Sequence, residues 1–494
     1  MRVNSSSRSL TGFTGFLPVA LVGLLAALGC GGGGGQTTNP PVGPPVNPPV
    51  VPPVVPPTVD ESLREALATD GMYAPAPPAA QDPAQVELGR MLFFDKILST
   101  RGDISCSGCH HPTLQMADSI PLSKGTNGEG LGPNREIFDG QTMVARNATD
   151  VFNRGLPSWR TMLWDSRVEQ LPNGQIRTPA GAETPSGLSG VLAAQAIMAM
   201  ADDREMHADQ MMFVGGPEPG PGGMPPQGDS GNEQTLTQIW ANITQRVTAR
   251  TGYGTLLAAA YPNTPLEQIT ISNLANAIAA FETEKLTTLD TPFDRYLRGD
   301  DAALTLEQKN GAILFYGKAN CSSCHAGELM TDQKPHNLMI PELGPGTATT
   351  PNEDRGRMDV TGDPADNYGF RTPPLRNVSQ TGPWMHNGAI GTLEDVVRHH
   401  LDPKTGFIGL DTSHLPADLA ATVKNTIADQ QQQEPTVDPA VAEPLALTDQ
   451  EVNDLVKFLD SLTDVSLADK LKDLEPVQVP SNIDPGYGGG GHDF

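Results

Sequence analysis

A mainly helical fold built from two related domains is what three observations predict. A Cys-x-x-Cys-His unit occurs twice, as Cys106-Ser-Gly-Cys-His110 and as Cys321-Ser-Ser-Cys-His325. The flanks repeat too: Arg90-Met-Leu-Phe-Phe-Asp-Lys96 precedes the first unit as Ala312-Ile-Leu-Phe-Tyr-Gly-Lys318 precedes the second, and Leu114-Gln-Met-Ala-Asp118 and Leu329-Met-Thr-Asp332 follow them. No long alternating strand pattern accompanies these repeats.

In each unit two thiols can add across the vinyl groups of a haem while the adjacent imidazole reaches the iron as proximal ligand. Zinc is the competing use of paired cysteines. A single site drawn from both pairs would have to join units far apart in the chain, and it would leave the histidine after each second cysteine unexplained. Two cytochrome-c-like haem domains with irregular loops are expected, each a handful of helices round one haem, preceded by a disordered Pro-rich linker.

The 494 residues allow two or three domains, and 37% hydrophobic content suits a packed core. The net charge of −26 argues against nucleic acid, whose phosphates need clustered Lys and Arg. Four of the five cysteines lie in the two units and the fifth is Cys30, which leaves none for a disulfide.

Taken in order, residues 1–29 read as a signal peptide of the lipoprotein type. They have a basic start (Arg2, Arg8), an apolar stretch from Phe16 to Leu28, and then Ala27-Leu-Gly-Cys30, with Cys30 as the lipidated residue. The expected location is the cell envelope or periplasm, tethered to a membrane by lipid only. Residues 30–81 form a Gly/Pro-rich linker. The first haem domain runs from 82 to 300, opening on a helix with Val86, Leu88, Met91 and Leu92 on its apolar face. It contains a Pro/Gly-rich loop, Gly215 to Gln234, and a helix marked by Ile271, Leu274, Ile278 and Phe281. The second domain runs from 301 to 479, with the boundary in Arg298 to Ala303. Capping boxes at Thr305 and Thr392, and a last helix after Thr448, mark its helices. A glycine-rich flexible tail, 480–494, closes the chain, and His492 in it is incidental.

His110 and His325 are the proximal ligands, so the division of labour depends on what faces the other side of each iron. A filled site transfers electrons, whereas an open one binds peroxide or dioxygen. On the helix from Leu393, His400 shares the apolar stripe with Leu393, Val396 and Val397, while His399 is rotated by about 100°. His400 is therefore the expected distal ligand of the second haem, with Met330 and Met385 as substitutes and a core histidine as the plain alternative.

This set of motifs resembles the bacterial dihaem cytochrome c peroxidases and the related dihaem enzymes that mature methylamine dehydrogenase. The resemblance spans about residues 84 to 465. It rests on Leu88-Gly-Arg-Met-Leu-Phe-Phe-Asp95, Ile104 to His110, Arg146-Asn-Ala148, Val151-Phe-Asn153, Leu163-Trp-Asp165, Gln195-Ala196 with Glu205-Met206, Pro374-Leu-Arg-Asn-Val378, and Thr381-Gly-Pro-Trp-Met-His-Asn-Gly388.

The resemblance implies that the first haem is peroxidatic and the second an electron-transfer haem. It makes Glu205 the distal acid-base carboxylate, although by local sequence Asp202-Asp-Arg-Glu205 is an ordinary solvated run. It sets Trp164 between the haems, with Trp159 as the residue most easily confused with it. It implies a calcium site from Asn147 and the carbonyls of Thr381 and Pro383, and a structural His386 near the second haem. Two departures stand out. No histidine lies in Thr126 to Pro133, where many of these peroxidases carry one that caps the resting first haem; Met116, Met143 and His207 are the remaining candidates. His400 stands where the peroxidases have methionine and the maturation enzymes tyrosine, which lowers the expected potential of the second haem. Met198, Met200, Met206, Met211 and Met212 cluster round Glu205 as core or as oxidisable guards.

The expected function is reduction of hydrogen peroxide to water with electrons from a small cytochrome or cupredoxin, by a chain that pairs into a homodimer. A dihaem oxidase that modifies Tyr or Trp of a partner protein, and a dihaem electron carrier without enzymatic activity, are the rivals.

Overall fold

The computed structural model describes residues 56–138, 143–207, 234–347 and 350–483. The expected signal segment, Cys30, Met211, Met212, His492 and all of the 215–234 loop except Gln234 lie outside the described residues. From Pro56 onward the chain forms one compact unit.

Helices α2 (Pro83–Phe94), α3 (Val191–Met200), α4 (Leu236–Thr248), α5 (Thr251–Ala260) and α6 (Ile271–Lys285) surround the first Cys-x-x-Cys-His unit, after an initial helix α1 (Val59–Asp70). Around the second unit come α7 (Pro292–Leu297), α8 (Leu306–Tyr316), α9 (Met358–Thr361), α10 (Leu393–Leu401), α11 (Pro403–Ile408), α12 (Ala417–Ala420), α13 (Ile427–Gln433) and α14 (Asp449–Asp460). A last helix, α15 (Leu467–Leu471), follows. Strands among the described residues are short and antiparallel. β1 (Gly128–Glu129) pairs with β2 (Glu136–Ile137), β3 (Thr161–Met162) with β4 (Val168–Gln170) and β4 with β5 (Ile176–Arg177), and β6 (Pro335–His336) with β7 (Phe370–Arg371).

The helix starts follow from local chemistry. Asp82 caps α2 by accepting from the Ala84 and Gln85 N–H groups, with Pro83 at the first helical position. Reciprocal capping boxes open α8 at Thr305 and α14 at Thr448, and the Thr392 hydroxyl accepts from the Asp395 N–H at the start of α10. α10 begins at Leu393, where the sequence places its start.

The repeat has a packing reason. α2 crosses α6, and a Cβ on Gly89 would stand 1.9 Å from the Ala277 carbonyl oxygen. α8 crosses α14 with the same intimacy, since a Cβ on Gly311 would stand 1.9 Å from the Asp454 carbonyl oxygen. Each haem unit thus sits under a helix pair whose backbones touch only because glycine occupies that position.

Three boundaries differ from expectation. The linker does not extend to residue 81, because Val59–Asp70 is helical. Thr58 and Glu61 form a capping box, and Leu63 and Leu67, one turn apart, are buried in the second core beside Phe315 and Phe458. The second core also begins before Arg298, since Phe293 and Tyr296 of α7 belong to it. The tail is packed where it starts: the Ser481 hydroxyl donates to Asp95 at 2.6 Å, and Leu467, Leu471, Leu474 and Val479 join the first core. At α1 apolar side chains at helical spacing outweigh the Pro-rich neighbourhood.

Candidate functional site

The first Cys-x-x-Cys-His unit opens onto a cavity of about 1100 Å³, whose lining includes Cys106, Cys109, His110, Trp164, Gln195 and Glu205. The second opens onto one of about 220 Å³ with Cys321, Cys324, His325, Trp164, His386 and His400 in its wall. The His110 Nδ1–H donates to the Met116 carbonyl and the His325 Nδ1–H to the Met330 carbonyl, both at 3.2 Å. A carbonyl can only accept, so each ring keeps its Nε2 lone pair for a metal. Burial pushes both imidazoles down to about 4, which keeps them in the neutral, ligating form.

The far side differs between the two cavities. The His400 ring centre lies 6.5 Å from that of His325. Two imidazoles about 2 Å from one shared metal, with about 1 Å more to each ring centre, have centres roughly 6 Å apart. His400 donates its Nδ1–H to the Val396 carbonyl at 2.8 Å, which again leaves Nε2 unspent. His399 turns elsewhere and donates to the Leu338 carbonyl at 2.8 Å. It is the more deeply buried of the two, so α10 is covered on more than the face the sequence pattern marks. Met330 is on the proximal side, where its carbonyl orients His325, whereas Met385 lines the second cavity.

His110 is the one histidine lining the first cavity among the described residues. Met116 orients His110 from the proximal side, His207 bonds Asp203 at 3.0 Å, and Met143 packs in a separate apolar cluster with Leu122 and Ile390. None of these three lines the cavity. Met198 and Met206 do, while Met200 is wholly buried in the core.

Glu205 sits on the turn after α3. Its carbonyl accepts from the Thr126 N–H at 2.8 Å, and that of Met206 accepts from the Thr100 N–H at 2.9 Å. From the other half of the chain the Gly346 carbonyl accepts from Arg204 at 2.6 Å. Burial pushes the Glu205 carboxyl up and Asp202 adds to the effect; Arg167 and Arg146 pull against them, and the outcome is about 7.

Trp164 lines both cavities and donates its indole N–H to the Asn147 carbonyl at 3.0 Å. It stands on the tip of the β3–β4 hairpin, whose Leu163 and Ser166 hold φ of +69° and +55°, a strained turn for side chains of this kind. Trp159 lines neither cavity; it is a buried ring between the Arg154 and Arg371 guanidiniums. Asn147, Thr381 and Pro383 meet in the second cavity wall. The Asn147 amide donates to the Ile120 and Pro121 carbonyls. His386 stacks on Phe370 at 3.5 Å between ring centres.

Three groups of this site escaped the sequence reading. Arg154 and Arg371 line both cavities, and Arg154 keeps a buried Nη1 without a hydrogen-bond partner. Glu282 lines the first cavity, and burial pushes its carboxyl up to about 8. Their charges sit in runs that look like any other surface charge in sequence.

A family model described as di-haem cytochrome c peroxidase matches residues 83–302. The cytochrome-c peroxidase IdrP2 of Pseudomonas sp. strain SCT is 31% identical over 345 residues, covering 66% of this chain and 75% of the relative. The chain belongs to the di-haem cytochrome c peroxidase family. Among other relatives, the cytochrome c551 peroxidase of Pseudomonas aeruginosa is 31% identical over 63% of this chain and 70% of its own. The methylamine utilization protein MauG of Methylorubrum extorquens is 28% identical over 65% and 69%. A crystal structure of a MauG-like protein associated with microbial copper homeostasis aligns over 80% of this chain and 95% of its own, with a TM-score of 0.54 and 26% identity.

Membership makes the protein an oxidoreductase with two haems. The residues present fit those groups. Each cavity offers two thiols and an oriented imidazole, and none of the four thiols is spent in a disulfide. The unpartnered Arg154 Nη1 and a buried, unpartnered His386 Nε2 suit haem carboxylates. Among the described residues no helix is long and apolar enough to cross a membrane.

Proposed function

We propose that this di-haem peroxidase reduces hydrogen peroxide to water at its first haem with electrons from a small cytochrome or cupredoxin that enter through the second. The asymmetry of the two cavities carries the reading: one pairs His325 with His400 at 6.5 Å, and the other has Glu205 and, among the described residues, no second histidine in its lining. His110 would hold the first iron, and His325 with His400 the second. The haems supply an iron that accepts peroxide and a store for the oxidising equivalents.

The chain supplies the rest. Glu205, ionised above about pH 7, takes one proton of the peroxide and returns it to the departing oxygen, so that water leaves. Trp164, in the wall of both cavities, is the aromatic step for electrons passing between them. Asn147 with the Thr381 and Pro383 carbonyls would hold a calcium ion that ties the halves together. Export to the periplasm or envelope, a lipid anchor at Cys30 and pairing into a homodimer complete the reading.

Glu205→Gln tests it. With both haem absorbances intact, peroxide-driven oxidation of a reduced small cytochrome should fall at least 100-fold. Turnover at the wild-type level would dismiss the assignment. The oxidised protein should also show a high-spin signal from the first haem, because neither Met116, Met143 nor His207 lines its cavity; two six-coordinate low-spin haems would contradict an open site.

One feature favours a second reading, oxidation of Tyr or Trp on a partner protein. An imidazole facing His325 gives a low-potential second haem, poorly matched to a high-potential donor. Negligible steady-state turnover with a long-lived oxidised state after one equivalent of peroxide would select it.

A further inference from the structure

Four charged side chains form an unbroken buried row between the halves of the molecule. The Arg146 guanidinium donates to both carboxylate oxygens of Asp354, at 2.7 and 2.9 Å, and to Asp165 at 2.6 Å. Arg167 donates to the same Asp165 oxygen at 3.0 Å. Arg146, Asp165 and Asp354 are at most 11% exposed at the side chain, and Arg167 is 24% exposed. Arg146, Asp165 and Arg167 line the first cavity with Glu205. Asp354 belongs to the second half of the chain, where the Glu342 carboxylate accepts its backbone N–H at 2.8 Å. Arg146 also lies over the Phe370 ring, 5.7 Å from its centre, and Phe370 stacks on His386 in the wall of the second cavity.

We infer that the row Asp354, Arg146, Asp165, Arg167 is a positioning device by which the second half of the molecule sets when Glu205 carries its proton. The inference rests on the reading of Glu205 as proton carrier and adds which residues tune it. Buried charges are poorly screened, so each member acts on the carboxyl beyond its nearest neighbour. The other charged groups lining the cavity are Asp202, Asp203 and Arg204 on the turn of Glu205, Arg177 from β5, Glu282 from α6, Asp359 from α9, and Arg154 and Arg371. Asp202 opposes ionisation of Glu205, as Asp165 does, while Arg167 and Arg146 favour it. Asp354 offsets part of the Arg146 charge and thereby weakens the pull of Arg146 on the carboxyl.

The two ends of the Arg146–Asp354 bridge therefore have opposite signs. Asp354→Asn leaves Arg146 under-compensated and should move the Glu205 titration down by roughly one pH unit; Arg146→Gln should move it up by a similar amount. The titration is read in the holoprotein from the infrared carboxyl band that Glu205→Gln removes, and again from the pH midpoint of peroxide turnover. Loosening of structure alone would move both variants the same way, so a common direction, or no movement, overturns the inference. Where the buried bridge cannot be cut without loss of folding, the part-exposed Arg167→Gln decides: an upward shift supports the row, and a downward or absent shift overturns it. If Glu205→Gln leaves turnover unchanged, the proton-carrier reading falls. If that variant is inactive and the bridge variants leave the titration in place, the row alone falls.

Discussion

Glu205 is a carboxyl in an environment built against its charge and held from full neutrality by two arginines. A carboxyl raised from 4.5 to about 7 favours folding only while protonated. That contribution is complete below about pH 4.5 and is lost as pH rises through about 7. Glu205→Gln should therefore stabilise the protein at pH 8 by about 3 kcal/mol and have no effect at pH 4, measured by denaturant unfolding at the two pH values. At the second haem, His400→Met should raise the midpoint potential by on the order of 100 mV in a spectroelectrochemical titration. The place of His400 in the second cavity was legible in sequence because helix periodicity sets it beside Val396 and Val397. Glu205 was legible only from the order of motifs, since nothing in Asp202-Asp-Arg-Glu205 distinguishes a cavity carboxyl from a solvated one. Arg154, Arg371 and Asp354 were not legible, because their meaning lies in partners far along the chain.

At the scale of elements, the capping patterns at Thr305 and Thr392 announced α8 and α10, since the same hydroxyl-to-amide bond that shapes the sequence pattern starts the helix. The β3–β4 hairpin gave no such signal. Strands of two or three residues are too short to alternate, yet the tip between them carries Trp164, Asp165 and Arg167. α1 was hidden by the proline-rich run before it. Its Leu63 is fully buried in the second core, so Leu63→Ala should cost about 2–5 kcal/mol by urea unfolding. The second haem's absorbance should change little, because Leu63 does not line its cavity.

At the scale of the molecule, the first and last described segments are exchanged between the halves. α1 packs on α8 of the second core, with Lys309 bonding Asp60 and Arg64 pairing with Asp301, while the segment from α15 to Ser481 completes the first core. Arg146 and Asp354, the Asn147 N–H on the His386 carbonyl at 2.7 Å, and Arg204 on Gly346 add cross-links at the level of the haem cavities. Scanning calorimetry of the holoprotein should accordingly show one cooperative transition, and two separated transitions would show that the halves melt independently.

The exchange of these segments also bears on how the first half closes. The core beneath the first Cys-x-x-Cys-His unit cannot close until Leu467, Leu471, Leu474 and Val479, far along the chain, have docked against it. Before that segment docks, the half holding Cys106 and Cys109 lacks part of its core and is loose enough to admit a rigid macrocycle. Closure by the arriving C-terminal segment then seals in what has been attached.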